Sequence, residues 1–424
     1  MRSIRTRRDA RRCLAVVCGL IVATGVAACG SSDDTSSASG SSTATATSDG
    51  KAATGTPIKV MTWGDYTQPP PSPSAQDLAD TAKAFFKQLN ADGGINGHPV
   101  ELSVCDSKTN PNGALACGRQ AIKDKVVAVV ANESFFAAPV VNLLTKAGIP
   151  NVGILANDPG SWGSKLSYCV NSSVAGAFMG LGGVAKAMGA TKMGNLQTAG
   201  IPQSTSQEQL TQGGIKKAGL QLGESVQVPQ STTDFAPAIA KALSGGADAI
   251  AVAPIGGDAG AIIRQIRQSN PDVKIVMPSF DITDAVIKSA GSAGDGVGIA
   301  GWTQPATADN VPGVKTFNAA LDKYAPDVSR QEPELITWLG GELFRLAAEK
   351  VEGTVTSAKL VEALNSLENA DLGGIVPNYS HSNAGKYGLG CVQTGAGSQL
   401  KLKGGKVVAD KPGEFADVIP MAAK

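Results

Sequence analysis

The chain has 424 residues, 42% of them hydrophobic, enough to bury a large core in two domains. Glycine is abundant at 51 residues and aromatics are scarce at 4%, which suits tightly packed α/β structure rich in turns. The formal charge of +1 is unevenly spread. Six Arg and one Asp within residues 1–28 carry a net +5, so the remainder stands at −4 and offers no basic surface for nucleic acid.

The N-terminus has the three parts of an export signal. An Arg-rich stretch ends at Arg12, and the apolar run Cys13–Ala23 is too short to span a bilayer. Small residues then lead through Val26-Ala27-Ala28 to Cys29, which resembles a bacterial lipobox with Val26 in the place of the usual Leu. The resemblance implies that residues 1–28 are removed and that Cys29 carries a lipid anchor on the outer face of the cytoplasmic membrane. Residues 30–56 hold almost nothing apolar beyond Ala, so residues 29–56 are expected to be a disordered tether. As a flexible coil it would reach roughly 30 Å.

Elements follow in order. Ile58–Met61 reads as a short strand leading to Trp63, Asp65 and Tyr66. Ser74 to Asp77 has capping-box spacing, and Leu78, Ala82, Phe85 and Leu89 form the apolar stripe of a helix stopped by Gly93-Gly94. Strands are expected at Val100–Val104, Val126–Val130 and Pro150–Leu155. The last two point their ends at Ser134 and Asn157, where ligands collect in open α/β sheets.

After Cys169 the alternation restarts as a second sheet. Its strands are expected near 192–197, 225–228, 249–252, 274–277 and 297–300. Helices over 314–324, 332–350 and 357–367 follow, and alternation around Gly404-Gly405 signals a hairpin.

Cys105, Cys117, Cys169 and Cys391 remain in the body, and an even count in an exported chain favours disulfides over a metal site. Cys105 and Cys117 lie close enough to close the loop between them, which leaves Cys169 to pair with Cys391. Metal ligation would need His partners, and only His98 and His381 exist.

Asn90-Ala-Asp-Gly-Gly-Ile-Asn-Gly97, followed by an apolar strand, a Cys-Asp loop and a helix, resembles the branched-chain amino-acid-type, or type I, solute receptors of ABC importers. Thr233–Asp248 carries a second part of the likeness. The resemblance implies an α/β fold of two lobes, each a doubly wound parallel-sheet domain, joined by hinge crossovers. The first lobe is expected over 57–174 and 303–380, and the second over 175–302 and 381–424.

The resemblance places Ser134 on a carboxylate-binding Ser, but Phe135-Phe136-Ala137 replaces the usual Ser/Thr-rich run. Leu155 and Asn157 match a backbone carbonyl and a Thr, and Gln203 stands where an aromatic often caps the ligand. The acid that holds a ligand ammonium falls near Ser279, with Asp281 two residues on. Trp63, Tyr66, Phe135 and Pro254 are further cleft candidates at strand ends.

Gly296–Gly301 matches GxGxxG, yet Trp302-Thr-Gln-Pro305 follows rather than a helix, so no dinucleotide site is read there. No P-loop, HExxH or GxSxG motif occurs. The expectation is therefore a monomeric, non-enzymatic lipoprotein with no cofactor. It would bind a small polar solute, an amino acid or a related amide or carboxylate, and deliver it to an ABC permease. A ligand-sensing ectodomain partner is the alternative, and an enzyme on the same scaffold the less favoured one.

Overall fold

The computed structural model describes residues 53–68, 74–156, 158–200, 204–229, 232–253 and 259–419. The export signal, Cys29, nearly all of the tether, Asn157, Gln203 and Pro254 lie outside them.

The first sheet takes up β1 (Ile58–Gly64), α1 (Gln76–Ala91), β2 (Val100–Asp106), α2 (Pro111–Lys123), β3 (Ala128–Val130), α3 (Ala137–Lys146), β4 (Asn151–Val152), the short α4 (Pro159–Trp162) and β5 (Ser167–Tyr168). All five strands are parallel, in the order β2-β1-β3-β4-β5. Alternate residues feed opposite layers, as period-2 geometry requires. Val60, Ala128 and Val130 face the core built with Phe85, Trp338 and Phe344, whereas Met61, Trp63 and Val129 face Cys117, Val140 and Leu144.

The chain then forms α5 (Ser173–Ala187), β6 (Lys192–Thr198), α6 (Ser204–Lys217), β7 (Gln221–Val228), α7 (Ala236–Ala242), β8 (Ala249–Val252), α8 (Ala259–Ser269), β9 (Lys274–Pro278), α9 (Asp284–Ala290) and β10 (Gly298–Gly301). α10 (Pro312–Tyr324), α11 (Glu332–Ala348) and α12 (Ser357–Asn365) follow, and both α10 and α11 pack on α1. β11 (Ala396–Lys403), β12 (Lys406–Ala409) and β13 (Ala416–Asp417) complete the second sheet. Its main path is β12-β11-β10-β9-β8-β6-β7, antiparallel only where β11 pairs with β10, β12 and β13.

Several expectations are corrected. β1 runs three residues further than its apolar run suggested, because Thr62, Trp63 and Gly64 keep pairing with Val104, Cys105 and Asp106. That extension puts Trp63 on the sheet, fully buried against α2 and α3, so it is core and no cleft wall. The Ser74–Asp77 capping box does not form. Ala75 is the N-cap, Ser74 Oγ takes the Gln76 N–H, and Asp77 accepts from the Ser329 N–H at 3.1 Å. A capping box does open α11, between Gln331 and Glu334.

β4 is two residues long because Gly153 turns at φ +68° where it touches Gly340 of α11, and a Cβ there would lie 2.1 Å from the Gly340 Cα. The C-terminal segment stays beside the first sheet past residue 381. His381 packs on Tyr168, and the Cys391 N–H donates to the Trp162 carbonyl. Disulfides join Cys105 to Cys117 and Cys169 to Cys391.

Candidate ligand-binding cleft

In a sheet of order 2-1-3-4-5 the chain leaves β1 in one direction and returns on its other side at β3. The two following loops part there, opening a crevice at the strands' carboxyl ends. Asp65 follows β1 directly, and Asn132–Phe136 follow β3. The loops are drawn together by the Asp65 N–H donating to the Glu133 carbonyl at 3.2 Å. Gly64 permits this approach, since a Cβ on it would come within 2.7 Å of that carbonyl.

Asp65 is buried, and its carboxylate is the centre of the crevice. Oδ1 accepts from the Ser134 hydroxyl at 3.0 Å and from the Ser107 hydroxyl, and Oδ2 accepts from the Phe135 N–H at 2.8 Å. Ser134 Oγ in turn accepts from the Phe136 N–H at 3.0 Å. These N–H groups precede α3, whose dipole favours negative charge at that end. Phe135 itself is 57% exposed, unusual for so large an apolar side chain. Tyr66 is turned inward instead, with its hydroxyl 2.9 Å from Thr62 Oγ1 and its ring on Leu78 and Ala79. Burial pushes its phenol far above the ordinary value.

Two further acids belong to this end of the molecule. Burial, with Asp65 nearby, raises Glu133 to about 7, and burial raises Glu334 to about 8 despite the Gln331 N–H donated to it. Neither pairs with Lys or Arg among the described residues. The hollow beside Asp65, Glu133 and Phe135 holds about 10 Å³, room for one water.

At the end of β9, Ser279 is buried and its hydroxyl donates to Glu332 at the start of α11. Glu332 also accepts from the N–H groups of Trp302 at 2.6 Å and Thr303 at 2.9 Å. Burial still raises its carboxyl. Ser279 is thus spent on a junction between β9, the crossover after β10 and α11. Asp281, two residues on, has a buried Oδ2 with no partner among the described residues, and burial raises it to about 7. A larger hollow of about 480 Å³ lies between this junction and the β11–β12 turn, with Arg330, Gln331, Thr307 and Lys406 on its walls. Leu155 is buried and bridges back to Glu133.

The structure therefore brings Ser134, Phe135 and Leu155 to one crevice and Ser279 and Asp281 to the end of β9, and it puts Trp63 and Tyr66 into the core. Sequence reasoning missed Asp65, Ser107, Glu133, Glu332 and Glu334. Asp65 stands out only once the strand order is known, because it follows the strand at which that order reverses.

The family model described as periplasmic binding protein matches residues 58–393. The chain belongs to the type I periplasmic binding protein family. An amino acid binding protein of Pseudomonas aeruginosa is 26% identical over 228 residues, which are 50% of this chain and 57% of that relative, so the match spans little more than half the relative's length.

Solved structures share the two-lobed type I fold. An extracellular ligand-binding receptor from Verminephrobacter eiseniae has a TM-score of 0.71 at 21% identity, covering 82% of this chain and 99% of that one. A branched-chain amino acid transporter binding protein from Streptococcus pneumoniae, in complex with isoleucine, scores 0.67 at 18% identity over 86% and 99%. A solute binding protein from R. palustris, in complex with 4-hydroxybenzoate, scores 0.68 at 20% identity over 86% and 98%. In this periplasmic binding protein no helix among the described residues is long and apolar enough to cross a membrane.

Proposed function

We propose that the protein is an extracytoplasmic solute receptor that closes over one small polar molecule and hands it to an ABC permease. The observation that carries this reading is the cluster of Asp65, Ser134 and exposed Phe135 at the strand-order reversal of the first sheet. Asp281, at the end of β9, brings an unpartnered carboxylate oxygen from the second sheet. Polar groups at strand ends with an aromatic beside them suit recognition of a compact solute.

The lobes divide near 169–173, 302–308 and 392–396, where the chain passes between sheets. Closure is a hinge motion at these crossovers. Cys29 holds the monomeric receptor to the membrane through the 29–56 tether. Among the described residues no catalytic set accompanies the binding groups, and no turnover is expected.

A thermal-shift screen of the purified protein against amino acids, amides, ureas, polyols and aromatic acids tests this. A solute at 100 times its Kd adds about 2.7 kcal/mol of stability. One compact class should raise Tm saturably, and a complete absence of shifts would remove the receptor reading.

A further inference from the structure

We infer that Asp65 is a built-in anion that fills the carboxylate-binding cradle of the first sheet, and so selects against solutes that present a carboxylate there. The inference rests on the receptor reading only for its biological meaning. The geometry stands without it.

The cradle consists of two hydroxyls and a main-chain N–H at the start of α3, the donor set that suits a carboxylate. Each donor is already used. The Ser134 and Ser107 hydroxyl protons go to Asp65 Oδ1, and the Phe135 N–H goes to Oδ2. A carboxylate arriving from solvent would find no free donor in this set. It would also meet Asp65 at contact distance with Glu133 beside it, and like charges so close cannot both stay ionised without a large penalty. A solute end that offers N–H groups, whether amide or ammonium, meets the opposite situation. It finds carboxylate lone pairs and the exposed Phe135 ring. Isoleucine and 4-hydroxybenzoate, bound by two of the structural relatives, both carry a carboxylate, so the distinction concerns which end of a solute faces this crevice.

The test is chemical rescue with formate and acetate, read by thermal unfolding at fixed ionic strength against chloride. Asp65→Ala empties the cradle, lowers Tm, and should regain at least about 2 °C saturably as either anion fills the vacancy. The wild type and Asp65→Asn, whose amide still occupies the space, should not respond. Adding Ser134→Ala to Asp65→Ala should abolish the rescue. If Asp65→Ala is unfolded at 25 °C, the same titration is followed as recovery of the native far-UV circular dichroism. Equal stabilisation of wild type and Asp65→Ala, equal stabilisation of Asp65→Asn and Asp65→Ala, or no response of Asp65→Ala would each overturn the inference. No cleft solute enters the assay, so this inference and the receptor reading fail separately.

Discussion

At the scale of single residues, carboxylates held away from water, Glu334 buried and Glu133 and Asp281 half-buried, set how the protein responds to pH. Glu133 and Asp281 titrate near 7 and Glu334 near 8, against roughly 4 in an unfolded chain. Between those values the folded state binds more protons than the unfolded state, so stability must fall as pH rises. Each group contributes up to about 1.4 kcal/mol per pH unit in its window. Urea unfolding from pH 4.5 to 8.5 should show this decline, and Glu334→Gln, which can still accept the Gln331 N–H, should flatten it. A curve that rises with pH across that window would refute the assignment.

Glu332 behaves differently, because four donors converge on it. Glu332→Ala strands the Trp302 and Thr303 N–H groups in the interior and should cost about 2–4 kcal/mol in the same assay. Glu332→Gln should cost less. Equal losses for the two variants would mean that packing, not hydrogen bonding, holds the junction.

Among the elements, α11 is the one the first sheet is fitted around. Its Gly340-Gly341 step faces Ala131 and Phe85, and a Cβ on Gly340 would stand 2.9 Å from the Ala131 Cβ and 3.1 Å from its Cα. Ala131 belongs to the main chain at the end of β3 and cannot swing away as a long side chain could. Gly340→Ala should therefore destabilise by about 1–3 kcal/mol despite the better helix propensity of Ala. Denaturant unfolding would show this, and a stabilised variant would contradict the close packing.

Sequence periodicity found most elements because their apolar residues recur at helix or strand spacing. Leu78, Ala82, Phe85 and Leu89 of α1 are all buried, and the hairpin turns at Gly404-Gly405. It failed where pairing or long-range contact decides. β1 continues through Thr62 because β2 runs alongside it, and β4 stops at Gly153 because α11 crosses there. The site was half legible for the same reason. Ser134 and Phe135 follow a recognisable strand, whereas Asp65 matters only once β1 and β3 are neighbours, 70 residues apart for its Phe135 bond. Nothing in the local sequence marks Glu332 and Glu334 as buried, and only the packed fold shows it.

For the whole molecule, the two disulfides act at different ranges. Cys105–Cys117 closes a loop with a sequence separation of 12, and Cys169–Cys391 one of 222. The longer closure constrains the unfolded chain more, so Cys169→Ala with Cys391→Ala should cost about 3–5 kcal/mol and the shorter pair about 2–3 kcal/mol. The long link also fixes the crossover out of β5 beside the return from residue 391, close to the proposed hinge.

In the proposed receptor one solute bridges the strand ends of both sheets. Hydrogen exchange, with and without a saturating amount of the solute that most raises Tm, tests it most directly. Exchange should slow in two segments far apart in sequence, 133–137 after β3 and 279–282 after β9. Protection confined to 303–307 and the β11–β12 turn, around the larger hollow, would contradict it, as would protection of only one of the two strand ends.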